Sequence, residues 1–428
     1  MSTKTKAVLD LKLPHPPNIA LWPRLHEASD LAHVAFEALW IKPPRYVRSI
    51  FGSPWSWWPP HGRFSEFNII DPWRLLTTIR YLMDVTIPAA AVTAPAWAQT
   101  LLPPIVNRRF WRPTSYYRQP DPNGSYSTYP NEHWFFINGV GTNEDVARIN
   151  SSYLARLFYR PISVIQNATD SLFLDLYECA IGKGFKTDPD DKDRKTMTEP
   201  AWRATKEILE AVNTKRTHRV VIIAHSQGTI IAANVLRAVN KALERAERRG
   251  PDCKWHKFTE NMMGSVQAEA APSLHREVAQ ALSKLTADGV HYALEKMAKI
   301  EVYTFANCAD IMCYVDGQRT VPYLEHFANE NDLVARLGVL SPLHCGSDAL
   351  IEIDGNVFKR DAAWGHLLNE HHLNAIDDYL DPRVGRTGRE ENPYRCEQAS
   401  CEPRLYEYFH GKCPDQASPD TTRSVRPS

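Results

Sequence analysis

Short runs of β-branched and aromatic residues alternate with longer amphipathic segments through the middle of the chain. The short runs are continuously apolar, which is typical of strands buried on both faces of a parallel sheet. The longer segments repeat their apolar residues at helical spacing. The predicted strands are 134–138, 162–166, 219–224, 300–306, 323–328 and 349–353. The predicted helices are 143–159, 200–215, 229–245 and 366–379.

This alternation predicts an α/β fold with a doubly wound, mainly parallel sheet. Parallel strands need long crossover connections, and the predicted helices supply them on both faces of the sheet. Active sites in such sheets form at the carboxyl ends of the strands, so polar residues that directly follow a strand are the first candidates for chemistry. The predicted catalytic domain covers residues 131–385 and includes an insertion at 252–298.

Residues 1–130 differ in composition from this domain. They contain 18 of the 31 prolines and eight of the 12 tryptophans. Prolines interrupt regular elements and tryptophans need apolar partners, so we expect an extension that packs on the core or forms part of a lid. A second interpretation is an apolar surface for peripheral contact with a membrane. Residues 85–107 carry no ionisable side chain, but four prolines interrupt them, which favours a buried or interfacial segment over a spanning helix.

The charge balance, the cysteine spacing and the terminal segments indicate what kinds of partner, metal site and location to expect. Fifty Lys and Arg residues balance 50 Asp and Glu residues, so no global field would attract nucleic acid. The eight cysteines lack paired CxxC spacing, and free thiols are favoured over a zinc site at Cys396, Cys401 and Cys413. No signal-peptide pattern opens the chain, which favours a cytoplasmic or membrane-peripheral location. Residues 386–428 are predicted to form a partly disordered tail.

Ser226 lies where a predicted strand turns into a helix. The segment 219–229 reads RVVIIAHSQGT, so the serine is flanked two residues away by Ala224 and Gly228. A nucleophile elbow needs this pattern, because its serine takes strained backbone angles and larger flanking residues would clash. The alternative is a serine that serves only as the N-cap of the helix.

With this motif the chain resembles the α/β-hydrolase superfamily, and AHSQGT at 224–229 is similar to the version found in serine lipases and esterases. The resemblance covers about residues 132–381. It implies that Ser226 is the nucleophile and that an acid and then a histidine follow it along the chain. It also implies chemistry without a metal ion or an organic cofactor.

Asp332 is the predicted acid. It follows the strand at 323–328 in the segment NENDLV at 329–334, which is similar to the N-x-x-D-h-V segment of hydrolases with a fungal-lipase-like topology. Glu330 is the competing carboxylate in the same loop.

His366 is the predicted base. The hydrolase family places its histidine just ahead of the final helix, and His366 stands there after the flexible Gly365. His371 and His372 are the alternatives. They lie more than one turn inside the predicted helix, where a histidine is ordinarily packed or faces solvent.

Two backbone segments are candidates for stabilising an oxyanion. The N–H group of Gln227 follows the serine at the start of the helix. The second donor is expected from NGVGTN at 138–143, whose glycines allow N–H groups to turn inward. Gly139 and Val140 are the predicted donors, with Thr142 as a side-chain contributor. A plain Gly-rich turn is the alternative, and the glycine spacing does not fit the phosphate-binding motifs.

Together these residues predict a serine hydrolase that cleaves carboxylic esters through an acyl-enzyme. The insertion 252–298, the segment 307–321 and the Trp-rich extension indicate a covered apolar pocket, so a small-molecule or lipid ester is expected, with a lipase- or phospholipase-like enzyme. An acyltransferase or amidase with the same triad is one alternative. A non-catalytic binding module with a hydrolase fold is the other.

Overall fold

The structure, a computed structural model, describes residues 48–52, 62–69, 115–118, 131–139, 142–167, 199–250, 253–263, 272–312, 322–341, 351–376, 395–396 and 403–414. The strands are β1 (Ser115–Arg118), β2 (Glu132–Ile137), β3 (Ile162–Gln166), β4 (Arg219–His225), β5 (Ile300–Phe305), β6 (Ile311–Met312), β7 (Tyr323–Asn329), β8 (Glu352–Ile353), β9 (Asn356–Arg360) and β10 (Arg395–Cys396). The α-helices are α1 (Glu144–Phe158), α2 (Glu199–Asn213), α3 (Gln227–Arg249), α4 (Trp255–Met263), α5 (Pro272–Thr286), α6 (Val290–Met297) and α7 (Leu333–Arg336). Shorter helical segments are the 3₁₀ helices Glu66–Asn68 and Arg404–Gly411 and the π-helical turn Leu368–Leu373.

Eight strands form one sheet in the order β1-β3-β2-β4-β5-β7-β9-β10. The six central strands are parallel, while β1 and β10 pair antiparallel at the two edges. The prediction of an α/β fold with a mainly parallel sheet is therefore confirmed. The order of the strands reverses between β2 and β4, since β3 lies on one side of this pair and β5, β7 and β9 lie on the other. In open α/β sheets, ligands bind at the carboxyl ends of the strands beside such a switch point.

Two apolar layers cover the sheet. Every residue of β3, β4 and β5 is buried, as their continuous apolar runs predict. On one face, Ile222 belongs to a core with Trp202 of α2 and with residues of α3 and α5. On the other face, Ile223 belongs to a core with Phe158 of α1 and with Tyr408 near the carboxyl end of the chain. The sheet is thus packed between two apolar layers, which position the residues at its carboxyl edge.

The insertion 252–298 contributes to one of these layers, and the C-terminal region contributes to the other. The insertion 252–298 supplies α4, α5 and α6. Val278 and Leu282 of α5 are buried in the first core. Residues 404–411, which the sequence placed in the tail, pack in the second core, where the Tyr408 ring lies 5.0 Å from that of Trp134. Most of the extension, residues 85–107 included, and the segments 313–321 and 415–428 lie outside the described residues. Within the described part of the chain, no helix is long and apolar enough to cross a membrane.

The last strand and the last helix differ from their predictions. The predicted strand at 349–353 does not join the main sheet: Glu352–Ile353 pairs with β6 in a separate two-stranded sheet, and the sixth parallel strand is β9. Gly355, with φ of +109°, separates the two strands. The sequence of β9, NVFKR, has only two apolar residues, because the strand lies near the edge of the sheet. The predicted helix beginning at 366 starts instead with the π-helical turn at Leu368.

Candidate active site

Ser226 occupies a strained bend between β4 and α3. Its backbone angles are φ 57° and ψ −129°, a conformation that costs a residue with a side chain on the order of 1–3 kcal/mol. Its N–H group donates to the carbonyl of Phe305 on the neighbouring strand (3.0 Å), which holds the bend against the sheet. The Ser226 side chain makes no capping hydrogen bond to α3. The hydroxyl therefore does not serve as the helix cap that the sequence left as an alternative.

The bend at Ser226 lies close to the end of β2. Two glycines, Gly228 and Gly139, leave room for this contact because they have no side chain. A Cβ atom on Gly228 would lie 2.2 Å from the carbonyl oxygen of Ile137. A Cβ atom on Gly139 would lie 2.4 Å from Cβ of Ser226. The small residue that the elbow pattern requires at 228 is thus explained by direct contact between α3 and β2.

The structure brings Ser226, His366 and Asp332 into one chain of hydrogen bonds. Nε2 of His366 lies 2.9 Å from Oγ of Ser226, and Nδ1 of His366 lies 2.8 Å from Oδ2 of Asp332. Ser226 follows β4, Asp332 follows β7, and His366 follows β9, so the three residues meet at the carboxyl edge of the sheet. All three are buried. The geometry allows a proton to pass from the hydroxyl to an imidazole whose other nitrogen is held by a carboxylate.

The electrostatics of this chain favour an ionised acid and a basic imidazole. Burial alone would raise the pKa of Asp332, but the charges and hydrogen bonds of His366 and His372 outweigh it and hold that pKa well below its usual range. Burial alone would lower the pKa of His366, but the Asp332 carboxylate outweighs it and raises that pKa above its usual value. An imidazolium formed at His366 is therefore stabilised.

Glu330, the competing acid, has other partners. One of its carboxylate oxygens accepts the N–H of Ala362 (2.6 Å), and the other lies 3.8 Å from Nζ of Lys359. The carboxylate that contacts the His366 ring is that of Asp332.

The two alternative histidines occupy supporting positions. Nδ1 of His371 accepts the N–H of Leu367 (3.0 Å), and burial together with the charge of His372 lowers the pKa of His371 to about 3. Nε2 of His372 lies 3.9 Å from Oδ2 of Asp332. The ring that contacts the Ser226 hydroxyl is that of His366.

The structure describes Gln227, Gly139 and Thr142 of the four residues predicted to stabilise an oxyanion. The backbone N–H of Gln227 lies at the first residue of α3, where the helix dipole favours negative charge. Gly139 packs directly on Ser226, since a Cβ atom at position 139 would lie 2.4 Å from Cβ of Ser226. Val140 lies outside the described residues. Thr142 is buried at the start of the segment that leads into α1.

Two asparagines connect the Gly139 and Gln227 segments by hydrogen bonds. They were not predicted from the sequence. Nδ2 of Asn138 donates to the carbonyls of Gly139 (3.0 Å) and Asn167 (3.1 Å), and its Oδ1 accepts the N–H of Asn167 (2.8 Å). Nδ2 of Asn167 in turn donates to Oε1 of Gln227 (2.6 Å). Asn138 is the last residue of the predicted strand 134–138, and Asn167 directly follows the predicted strand 162–166. That position could have identified them, because residues after neighbouring parallel strands meet at one edge.

His225 is a further residue that the sequence did not single out. Its Nε2 lies 2.8 Å from the backbone carbonyl of His366, and the two rings are 4.7 Å apart. Burial and then the neighbouring His366 and His372 lower the pKa of His225 far below its usual value. A neutral His225 therefore donates its N–H to that carbonyl and supports the loop of His366.

No group of three or more His, Cys, Asp or Glu side chains in the described part of the chain could hold a metal ion. The chain has no match among models of protein families, among curated proteins or among solved structures. The mixed α/β architecture is compatible with the α/β-hydrolase superfamily, a fold that hosts many unrelated functions.

Proposed function

We propose that the protein is a serine hydrolase that cleaves carboxylic esters through an acyl-enzyme. The single observation that carries this proposal is the continuous hydrogen-bonded chain from Ser226 through His366 to Asp332. It begins at a strained serine beside the switch point of a parallel sheet, where such sheets bind ligands. A buried serine serving only in packing would not need a positive φ together with a contact to a histidine that a carboxylate holds.

The proposed reaction proceeds in two halves. Nε2 of His366 takes the proton of Ser226 as Oγ attacks the ester carbonyl carbon, and Asp332 stabilises the imidazolium. The N–H of Gln227 and the Gly139–Val140 segment bind the oxyanion. His366 then gives its proton to the leaving alkoxide, so that an alcohol departs and an acyl-serine remains. Water, activated by His366, attacks this ester and releases the carboxylic acid.

The proposed substrate is a small-molecule or lipid ester. Support comes from the sequence of the extension, which concentrates eight of the 12 tryptophans in residues 1–130 and could cover an acyl chain or lie on a membrane surface. The balanced charge, 50 basic against 50 acidic residues, does not favour nucleic acid as a partner.

Active-site labelling tests the proposed reaction. A fluorophosphonate probe should label the wild-type protein at Ser226, and Ser226→Ala should abolish both labelling and ester turnover. Ser152→Ala is the matched control, because the Ser152 hydroxyl donates to the Arg148 carbonyl on α1, away from the triad. Ester hydrolysis that survives unchanged in Ser226→Ala would refute the proposal.

A chain-length series tests the substrate class. With p-nitrophenyl esters, kcat/KM should rise from acetyl to longer acyl chains if an apolar pocket binds them. Activity confined to acetyl esters would contradict a lipase-like pocket while leaving the proposed esterase chemistry intact.

A further inference from the structure

A short segment of the N-terminal extension, residues 48–52, lies against the loop that carries the acid. Oγ of Ser49 donates to the carbonyl of Asn331 (2.9 Å) and accepts the N–H of Leu333 (2.6 Å). One hydroxyl thereby bridges the backbone groups on both sides of Asp332. Ser49 is buried, so water does not compete strongly for these hydrogen bonds.

The same segment also holds the loop of the base. The carbonyl of Ile50 accepts the backbone N–H of His366 (2.9 Å). The guanidinium of Arg48 lies 4.5 Å from the centre of the Trp364 ring, two residues before that histidine. Three consecutive residues of the extension therefore contact the acid loop and the base loop at once.

Ser49 completes the start of the short helix that follows the acid. The first N–H groups of a helix have no partner within the helix. Oδ1 of Asp332 accepts the N–H of Val334 (2.9 Å), and Ser49 accepts that of Leu333. Because Oδ2 of Asp332 is the atom that contacts His366, any rotation of this helix start would move Oδ2 away from Nδ1. A misplacement of about 1 Å at a catalytic group can lower the rate by roughly 100-fold.

We propose that Ser49 is a positioning residue that holds the Asp332 carboxylate in register with His366, so that residues 48–52 of the extension support the geometry of the triad. This inference rests on the proposed hydrolase function. The extension then does more than cover the core or the substrate: without residues 48–52 the acid loop and the base loop lose their common support.

The test compares Ser49→Ala with Ser49→Thr, which keeps the hydroxyl. In Ser49→Ala, kcat for a p-nitrophenyl ester should fall by about 10- to 100-fold, with KM changed by less than about twofold. The pKa of His366, followed by NMR titration of ¹⁵N-histidine-labelled protein, should also fall, because the carboxylate that stabilises the imidazolium is loosened. Ser49→Thr should recover most of both properties.

Ser65→Ala is the matched control. Ser65 is a buried serine of the same extension, and its hydroxyl accepts the N–H of Phe67 within its own short helix (3.1 Å). This variant should lower the thermal midpoint while kcat stays as in the wild type. If Ser49→Ala does not fold, Ser49→Cys keeps a donor and an acceptor on a slightly larger side chain and weakens both hydrogen bonds, and it should shift both readouts in the same direction.

The titration separates this inference from the proposed function. A wild-type kcat and an unchanged pKa of His366 in Ser49→Ala would overturn the positioning role, even with Ser226→Ala inactive. A lowered pKa of His366 in a protein that hydrolyses no ester would support the positioning role and overturn the hydrolase proposal instead.

Discussion

Gly139 and Ser226 are in such close contact that a Cβ atom at position 139 would lie 2.4 Å from Cβ of Ser226 and 3.0 Å from its Oγ. The two residues follow β2 and β4, the strands between which the order of the sheet reverses. The hydroxyl and the backbone of the loop after β2 therefore face one small region at the carboxyl edge. An ester carbonyl bound there would meet the proposed nucleophile and the proposed oxyanion donors together.

Gly139→Ala should abolish the proposed ester hydrolysis. The added methyl group would also lie 2.8 Å from the carbonyl oxygen of His225, so either the loop or the serine must move. We expect kcat/KM to fall by at least about 100-fold, together with the rate of fluorophosphonate labelling. Gly250→Ala is the control, since Gly250 has φ of +60° but open space around it. It should lower stability by about 1–3 kcal/mol without changing kcat/KM. Full activity in Gly139→Ala would contradict the proposed placement of the substrate carbonyl.

The pH dependence of catalysis should follow His366. Protonated imidazole cannot accept the Ser226 proton, so kcat/KM should fall as the pH drops through the pKa of His366. Burial lowers this pKa, but the Asp332 carboxylate outweighs burial and raises it above the ordinary value of about 6.5. In Asp332→Asn, the acid limb should move to lower pH and kcat should fall roughly 10⁴-fold. A pH–rate profile of both proteins checks this, and an acid limb that stays in place would argue against the pairing.

Ser226 and His366 should act as one unit. Because both residues serve the same proton transfer, removing either should cost nearly as much as removing both. We expect Ser226→Ala, His366→Ala and the double variant to have kcat values within about tenfold of each other. Multiplicative losses in the double variant would show that the two side chains act independently.

The parallel core could be predicted from the sequence because its strands are buried on both faces. The runs at 162–166 and 219–224 reappear as β3 and β4 with nearly the same bounds. Strand β9, which lies next to the edge strand β10, could not be found in this way, since Asn356, Lys359 and Arg360 interrupt its apolar pattern. The hydrophobic pattern of a sequence detects strands that are buried. The pattern is less regular in strands near the edge of a sheet, because fewer of their side chains are buried.

The three members of the hydrogen-bonded chain could be located because each follows a strand or precedes the last helix. The resemblance of the AHSQGT motif to the α/β-hydrolase superfamily implies the order serine, acid, histidine, and the structure brings Ser226, Asp332 and His366 together. Ser49 could not be found, because an ordinary serine in a Pro-rich segment carries no local signal. Its contact with Asn331 spans 282 positions of the chain, and only the folded structure reveals it.

Glu66 should make stability depend on pH in the near-neutral range. Its two carboxyl oxygens accept the N–H groups of Asn369 (2.7 Å) and Glu370 (3.0 Å), and burial raises its pKa to about 7. The folded state therefore binds this proton more tightly than the unfolded state, whose Glu has a pKa of about 4.3. The stabilisation is complete below the unfolded pKa and is lost as the pH rises through about 7, a loss of about 4 kcal/mol.

Urea unfolding at several pH values checks this expectation. Burial raises the pKa of Glu325 to about 7 as well, so two groups contribute with the same sign. Glu66→Gln should remove about half of the decline in unfolding free energy between pH of about 4.3 and 7. The amide also loses one acceptor for the backbone, so this variant should be less stable overall, and the slope is the diagnostic quantity. An unchanged slope would mean that Glu66 does not titrate there.

Arg404 should hold the C-terminal segment to the sheet. Its Nη2 donates to Oε1 of Glu301 (3.0 Å), and the two side chains are 9% and 8% exposed. Arg219, the first residue of β4, also pairs with Glu301 (3.2 Å), so the pairing lies at the amino ends of the strands, opposite the triad. Removing one partner of a buried ion pair costs about 3–5 kcal/mol, and the second arginine should reduce that cost here.

Arg404→Met should therefore lower the unfolding free energy by about 3 kcal/mol while leaving kcat/KM of the folded protein unchanged. Its control is Arg148→Met, which breaks an exposed pair with Glu144 on α1 and should cost less than about 1 kcal/mol. Combining Arg404→Met with Glu301→Gln should destabilise the protein by less than the sum of the single changes, because the residues interact directly. Strictly additive losses, or a loss of activity at constant stability, would show that the segment 404–411 is attached in another way.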